Sequence, residues 1–307
     1  MDVKDLLDPE FLPAIDAFPE FSLSVETLPA MRGPLRTPVE LSDKVERTEH
    51  SVPGDPPVPV RVHRPKDATG TLPCVFSMHG GGFVLGSYDM DDALFDRWCP
   101  SLGIVGVSVE YRLAPEHPYP IPLEDCYRAL RWVFDNADEL GVDKARIGIR
   151  GISGGGGLAA GLALLARDRG EIQIAFQLLD CPMIDDRQIT PSSQMEGLPI
   201  WSKESNEFGW RSYLGPLYGT DDVPAYAAAA RATDLSGLPP AFVSVGAVDG
   251  FRDEDIDYAL RLNQAGVPTE LHVYPGAPHG YAIAPESAVA RQSARDMAEW
   301  LARQIRK

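Results

Sequence analysis

Cysteine is scarce and unpatterned in this chain. Cys74, Cys99, Cys126 and Cys181 are its four among 307 residues, widely spaced, with no C-x-x-C pair and no histidine cluster beside them. That excludes a disulfide framework and a structural zinc site, and reads as reduced thiols packed inside a cytosolic protein. No apolar run approaches the length of a membrane span. Met1 to Glu10 is acidic and has neither the basic nor the apolar region of a secretory leader. Positive charge is also short: 28 Lys and Arg stand against 45 Asp and Glu, a net charge of −17 and a pI near 4.7. Nucleic acid and anionic membrane surfaces both require positive patches, so neither is a partner, and a strongly anionic substrate is disfavoured. Internal repeats, low-complexity tracts and flexible linkers are missing as well.

What remains is a soluble chain slightly above the usual single-core size, which predicts one large domain with a cap. Its middle alternates apolar strand-like runs with helical patterns. Lys44 to Val52 and Val58 to Arg64, divided by Gly54-Asp55-Pro56-Pro57, predict an edge hairpin. Leu72 to Met78, Ile104 to Glu110, Ile147 to Ile152, Ala175 to Leu179, Ala241 to Val248 and Glu270 to Tyr274 predict further strands. Helices are predicted over about Asp91 to Leu102, Leu123 to Leu140, Leu158 to Arg169, up to about Gly266, and at the C-terminus. Such alternation means an α/β fold with a mostly parallel central sheet and helices on both faces.

Two segments break the pattern. In residues 1–41, Leu7, Phe11, Ile15 and Phe18 recur at helical spacing between prolines, predicting short amphipathic helices that cover either the main core or the mouth of a site. Residues 184–222 form a polar and aromatic insertion carrying Trp201, Phe208, Trp210, Tyr213 and Tyr218. Both read as cap segments, leaving 42–183 and 223–307 as the main domain.

The most informative stretch is Arg150-Gly151-Ile152-Ser153-Gly154-Gly155, which joins a strand to a helix. In G-x-S-x-G the glycines remove Cβ atoms that would clash in a sharp turn, and the new helix's first amides point toward the serine hydroxyl. A phosphate loop is excluded because no Lys-Ser or Lys-Thr pair follows the glycines. A dinucleotide fingerprint can be forced onto Gly155 to Ala160, but it would sit mid-chain and not in a first βαβ unit. A second glycine-rich stretch, His79-Gly80-Gly81-Gly82-Phe83, ends a buried strand, where three glycines are costly in entropy unless the backbone itself is needed.

A serine hydroxyl needs a base, and the base an orienter. Of six histidines, His50, His63 and His272 fall on or beside predicted strands, His117 is pinned beside Pro118, and His79 is placed to orient the glycine loop. His279 lies in a Gly- and Pro-framed loop past a late strand, where an open α/β sheet presents reacting groups. Asp249, at the end of its strand, is the expected acid between Ser153 and His279 in chain order. Asp180 is the second candidate, while Asp253, Glu254 and Asp255 read as helix-start charges.

HGGGF at His79, YRLAPEHPYP at Tyr111, G-x-S-x-G at Gly151, D-x-x-R-D-E at Asp249 and HG at His279 follow one another over nearly the whole chain. In this the chain resembles the hormone-sensitive-lipase-like family of α/β-hydrolases, the bacterial family IV esterases; HGGG is the known oxyanion motif of lipases and esterases. The resemblance implies an α/β-hydrolase fold with a helical cap, Ser153 as nucleophile, His279 as base and then acid, Asp249 as its orienter, and an oxyanion hole from the amides of Gly81, Gly82 and Gly154. It implies hydrolysis of small, neutral, short-chain carboxylic esters with no cofactor and no metal. Amide, lactone or acetyl-ester hydrolysis on the same triad is the alternative, and a small-molecule receptor a remote one, since receptors of this family have lost the histidine. Many relatives dimerise through the late sheet edge, so a homodimer is an expectation. The sequence departs from the family at Ile152, which brings apolar bulk near the pocket, at Gly154, where relatives carry Ala, and at Gly250, where they carry Pro. A looser oxyanion hole follows from Gly154 on this reading, so that Gly154→Ala raises turnover, and a less rigid Asp249 loop follows from Gly250.

Overall fold

The computed structural model describes residues 3–18, 23–32 and 40–306. Eight strands, β1 Val45–Val52, β2 Val58–Pro65, β3 Leu72–Met78, β4 Val105–Val109, β5 Val142–Ile152, β6 Gln177–Asp180, β7 Ala241–Val248 and β8 Thr269–Pro278, form one sheet in the order β1-β2-β4-β3-β5-β6-β7-β8. The β1–β2 and β2–β4 pairs are antiparallel, and every other pair is parallel. The expected edge hairpin and mainly parallel sheet are therefore present.

Central strands such as β4 (VGVSV) are buried along their whole length, whereas edge strand β1 is buried only at its two ends, Val45 and Val52. That contrast follows from position, because a parallel strand covered on both faces has no solvent side to reserve for polar residues. The helices are α1 Leu12–Ala17, α2 Leu28–Met31, α3 Asp92–Leu102, α4 Ile121–Asp135, α5 Ala137–Leu140, α6 Gly154–Arg169, α7 Lys203–Leu214, α8 Arg252–Gln264 and α9 Ala288–Gln304. On one face, Phe95 and Trp98 of α3 and Trp300 and Leu301 of α9 cluster with Val75, Phe176 and Phe242. On the other, α4, α6 and α8 join Cys74, Phe76 and Val243 in the larger core. Alternate residues of β3 thus feed alternate layers, as a period of two requires.

Some boundaries differ from expectation. Helix α6 begins at Gly154 and not Leu158, because tertiary contacts override the weak helix propensity of four consecutive glycines. Strand β8 continues through Pro275 and Gly276 to Pro278 by shifting register against β7, which delivers His279 directly from the sheet. The helix expected over Leu123 to Leu140 is broken at Asn136 into α4 and α5. The insertion forms one substantial helix, α7, and the chain from there to β7 adds only single 3₁₀ turns, with Val223, Ala228 and Leu235 buried in the main core.

The described parts of the N-terminal segment pack on the main body and on the insertion. Phe11 packs on Tyr274, Ala277 and Tyr281 of the main body, while Val3 and Leu7 pack with Val248 and with Leu198 of the insertion. Parts of the expected 1–41 cap segment, residues 1–2, 19–22 and 33–39, lie outside the described residues. At the end of α2, Arg32 reaches across the chain: its guanidinium donates to the carbonyls of Val84 at 2.8 Å and Ala114 at 2.6 Å and to both carboxylate oxygens of Glu116.

Glu116 is mostly exposed, so its ion pair with Arg32 is screened and worth little. The two part-buried carbonyls depend on Arg32 more. Arg32→Met is accordingly expected to destabilise the fold by about 1–3 kcal/mol, while Glu116→Gln loses less than about 1 kcal/mol, as measured by denaturant unfolding.

Candidate active site

Five loops converge at the carboxyl ends of β3, β5, β6, β7 and β8, the side on which open α/β sheets bind ligands. Ser153 sits between β5 and α6 with φ 56° and ψ −123°, a strained conformation for any side chain. The strain is held from several directions. Its N–H donates to the carbonyl of Asp180 at 2.9 Å, and its own carbonyl accepts from Gly157 and Met183, both at 3.0 Å. A Cβ on Gly151 would lie 2.0 Å from the Gly155 carbonyl oxygen, so only glycine lets the chain fold back this tightly.

Ser153 Oγ lies 2.9 Å from His279 Nε2, and His279 Nδ1 lies 2.8 Å from Asp249 Oδ2. The carboxylate can only accept, so Nδ1 carries the proton and donates, leaving Nε2 to accept from the serine hydroxyl. The other oxygen of Asp249 accepts from the Phe251 N–H at 3.0 Å, and the Phe251 ring stands edge-on to the imidazole. All three groups are at least 94% buried, Ser153 being the most open at 6% exposure. Such a chain can pass a proton from hydroxyl to imidazole while the carboxylate steadies the ring.

Beside the serine, the loop after β3 turns back on itself through Gly81 (φ 118°) and Gly82 (φ 56°), with the N–H groups of Val84 and Leu85 both donating to the Gly81 carbonyl. His79 is fully buried, stacks on Tyr111 at 4.2 Å and lies with Nδ1 2.9 Å from the Gly80 carbonyl, so it supports this loop as its position in the sequence suggests. Gly154 packs directly against the loop: a Cβ there would lie 2.9 Å from the amide nitrogen of Gly82 and 2.8 Å from that of Phe83. Ile152 is partly exposed at the end of β5, and its Cγ2 borders Gly80.

The other acids are placed elsewhere. Asp180 accepts from Ser244 Oγ at 2.9 Å and Tyr281 Oη at 2.5 Å, and no bond links it to His279. Asp253, Glu254 and Asp255 lie in the first turn of α8 as expected, but Glu254 and Asp255 are buried there. Glu254 accepts from the backbone N–H groups of Ile184 and Asp185, tying α8 to the start of the insertion. Asp255 is fully buried, and neither of its oxygens has a partner among the described residues. Burial, then the neighbouring Glu254, Asp249 and Asp180, pushes its carboxyl well above the usual range. Asp253 does lie near the surface, accepting from the Ser192 N–H at 2.8 Å. Cys181 shares the site: its sulfur, an oxygen of Asp249 and a nitrogen of His279 all lie within 4.8 Å of one another. Burial, Asp180 and Asp249 push its thiol well up, so it is neutral near pH 7.

Several hydrogen bonds span the loop of Asp249 around Gly250. Ser192 Oγ donates to the Gly250 carbonyl at 3.0 Å, and Arg252 donates from its backbone to Asp249 and from its side chain to Ala247.

Residues 75–283 match the model of a family described as having the alpha/beta hydrolase fold. The chain belongs to the α/β-hydrolase family. Among curated relatives of this hydrolase, carboxylesterase NlhH of Mycobacterium tuberculosis is 38% identical over 283 residues, covering 90% of this chain and 88% of the relative. An arylesterase of Saccharolobus solfataricus is 34% identical over 233 residues, covering 72% and 74%. Among solved structures, a bacterial heroin esterase superposes over the full length of both chains with a TM-score of 0.94 and 40% identity. The hormone-sensitive-lipase-like resemblance read from the motifs agrees with these matches. No helix among the described residues is long and apolar enough to cross a membrane.

The geometry argues against one expectation. An alanine methyl at 154 would press on the backbone amides of Gly82 and Phe83, so Gly154→Ala is expected to lower ester turnover roughly tenfold or more, read from steady-state kinetics. A second outcome concerns pH. Asp255 has a raised folded-state pKa, so the native state keeps a proton that the unfolded chain releases above about pH 4. The stability it contributes is complete below that pH and declines as pH rises toward the folded value. Asp255→Asn should therefore raise the thermal midpoint at pH 7, by roughly 2–4 °C for each kcal/mol recovered, and flatten its decline from pH 4 upward.

Proposed function

We propose that this hydrolase is a serine carboxylesterase that cleaves small, neutral, short-chain carboxylic esters through an acyl-enzyme. The observation that carries the reading is the unbroken hydrogen-bonded chain Ser153–His279–Asp249 set against a glycine loop of positive φ. The relatives named carboxylesterase, arylesterase and heroin esterase supply the reaction class.

In this mechanism Ser153 Oγ attacks the ester carbonyl carbon as His279 Nε2 takes its proton. The carbonyl oxygen becomes an oxyanion held by the amides of Gly81, Gly82 and Gly154. Collapse of the tetrahedral intermediate breaks the bond to the alcohol oxygen, which leaves with the proton from Nε2. Water then repeats the sequence on the acyl-serine, releasing the acid and restoring the hydroxyl. Asp249 keeps the ring oriented and stabilises the imidazolium formed in each half. No metal or cofactor enters these steps. Ile152 borders the serine on the substrate side, and residues 1–41 and 184–222 serve as the cap. A cytosolic setting is supported by four buried, unpaired cysteines, and homodimerisation through the edge of β8, where Leu271 and Val273 are part-exposed, belongs to the same reading.

Release of p-nitrophenol from acyl esters of increasing length checks the reading. Short chains are expected to be favoured, and Ser153→Ala to lower kcat by a factor on the order of a million. An intact protein inert on every ester, or a Ser153→Ala variant that keeps its activity, would overturn it.

A further inference from the structure

The insertion places one aromatic side chain directly on the reacting centre. Trp201 packs so closely on the glycine loop that a Cβ on Gly82 would lie 2.2 Å from its Cη2, and its indole centroid is 6.4 Å from that of His279. From the far side, α7 comes in through Gly209, whose own Cβ would lie 2.8 Å from the Gly82 carbonyl oxygen and 3.4 Å from Trp201 Cζ2. The indole N–H points away from the centre, toward Asn206 Oδ1 at 3.3 Å. Trp201 is 8% exposed, so it is a packed wall and not a loose flap.

The backbone that delivers this ring is strained. Ile200 has φ 69°, and the Trp201 N–H donates to the Pro199 carbonyl at 2.7 Å, closing a three-residue γ-turn of the positive-φ form. A β-branched residue avoids that region unless surrounding structure imposes it. Behind the ring lies a small, partly open nook lined by Gln188, Leu198, Asn206, Asp249, Gly250 and Trp201 itself. Gly250 helps to leave that space open, since a Cβ there would lie 3.3 Å from Leu198 Cδ1. Trp201 therefore has the oxyanion loop on one side and that nook on another.

We propose that Trp201 is the specificity-determining partition of the alcohol side of the site. The inference rests on the esterase reading above. The alcohol oxygen takes its proton from His279 Nε2 while the carbonyl oxygen sits at the glycine loop, so the first atoms of the alcohol lie between those two groups. Trp201 touches one and borders the other. The site accepts slim, unbranched or flat alcohol groups, and the nook behind the indole is closed to substrate. The strained turn at Ile200 fixes the ring against the loop.

The test uses two acetates of primary alcohols with matched leaving ability, n-butyl acetate and 3,3-dimethylbutyl acetate, followed by pH-stat. W201A is expected to raise the ratio of kcat/KM for the branched over the slim ester by about tenfold or more, because a methyl-scale mismatch in an apolar pocket is worth that much. W201F keeps most of the original ratio, and I200G, which frees the turn but retains the indole, moves it partway. Because W201A removes a packed ring, W201L is measured beside it, and thermal melting identifies any variant that is not folded. A ratio that shifts less than about twofold in folded, active W201A or W201L would overturn the proposal. So would an equal shift across a series of acyl lengths on a fixed slim alcohol, which would mean a generally loosened site. If the unsubstituted protein cleaves neither acetate nor any p-nitrophenyl ester, the esterase reading fails first and this inference falls with it.

Discussion

The close approach of backbone to backbone at the β5–α6 turn is the constraint on which the rest of the site depends. Gly155 would clash with the Met78 carbonyl at 2.2 Å if it carried a Cβ, and Gly157 with that of Met183 at 2.1 Å. The turn is therefore wedged between the ends of β3 and β6, and Ser153 is bonded to both β6 and the chain just beyond it. Side chains at these glycines would push the helix away from the sheet and draw the hydroxyl out of line with His279. A strained residue persists where its surroundings over-determine it, and here three strand ends do so.

The acid side of the site works by sorting carboxylates. Four of them, Asp180, Asp249, Glu254 and Asp255, are buried within one region of a chain that already carries a net charge of −17. Each has a different environment. Asp180 is satisfied by Ser244 and Tyr281, and Asp249 by His279 and the Phe251 amide. Among the described residues only one oxygen of Glu254 is held, by two backbone amides of the insertion, and burial and then Asp185 push its carboxyl well up. Asp255 has none of these, and burial beside like charges favours its neutral form. The hydrogen-bond partners, more than chain position, decide which carboxylate meets the histidine.

Much of this was legible in the sequence. The strands of the hairpin and of β3 and β7 follow from apolar runs and turn residues, and the order of Ser153, Asp249 and His279 at strand ends points to one site. What stayed hidden depends on distant partners. Arg32 acts through Val84 and Ala114, 52 and 82 residues away, and nothing near Arg32 signals it. Glu254 and Asp255 look like helix-start acids because a first turn favours negative charge whether or not the fold buries it. Trp201 reads as one of five aromatics in the insertion, and only the approach of Gly82 and Gly209 separates it from Trp210, which is packed against Phe83 in the core. The geometry argues against the Gly154 expectation, because the sequence shows a missing methyl but not the two amides beside it.

The insertion ties these parts together. Its start is bonded to Glu254, its middle to the Asp249 loop through Ser192 and Gly250, and its Trp201 to the oxyanion loop. The N-terminal segment repeats this on the other flank, where Leu7 meets Leu198 and Arg32 holds Val84. The described parts of both segments are thus fastened to the Asp249 loop or to the glycine loop after β3, through backbone carbonyls or close side-chain contacts. Displacing the described parts of these segments would break contacts beside the Ser153–His279–Asp249 chain. On the proposed esterase reading, wall side chains and not a hinged lid select the substrate.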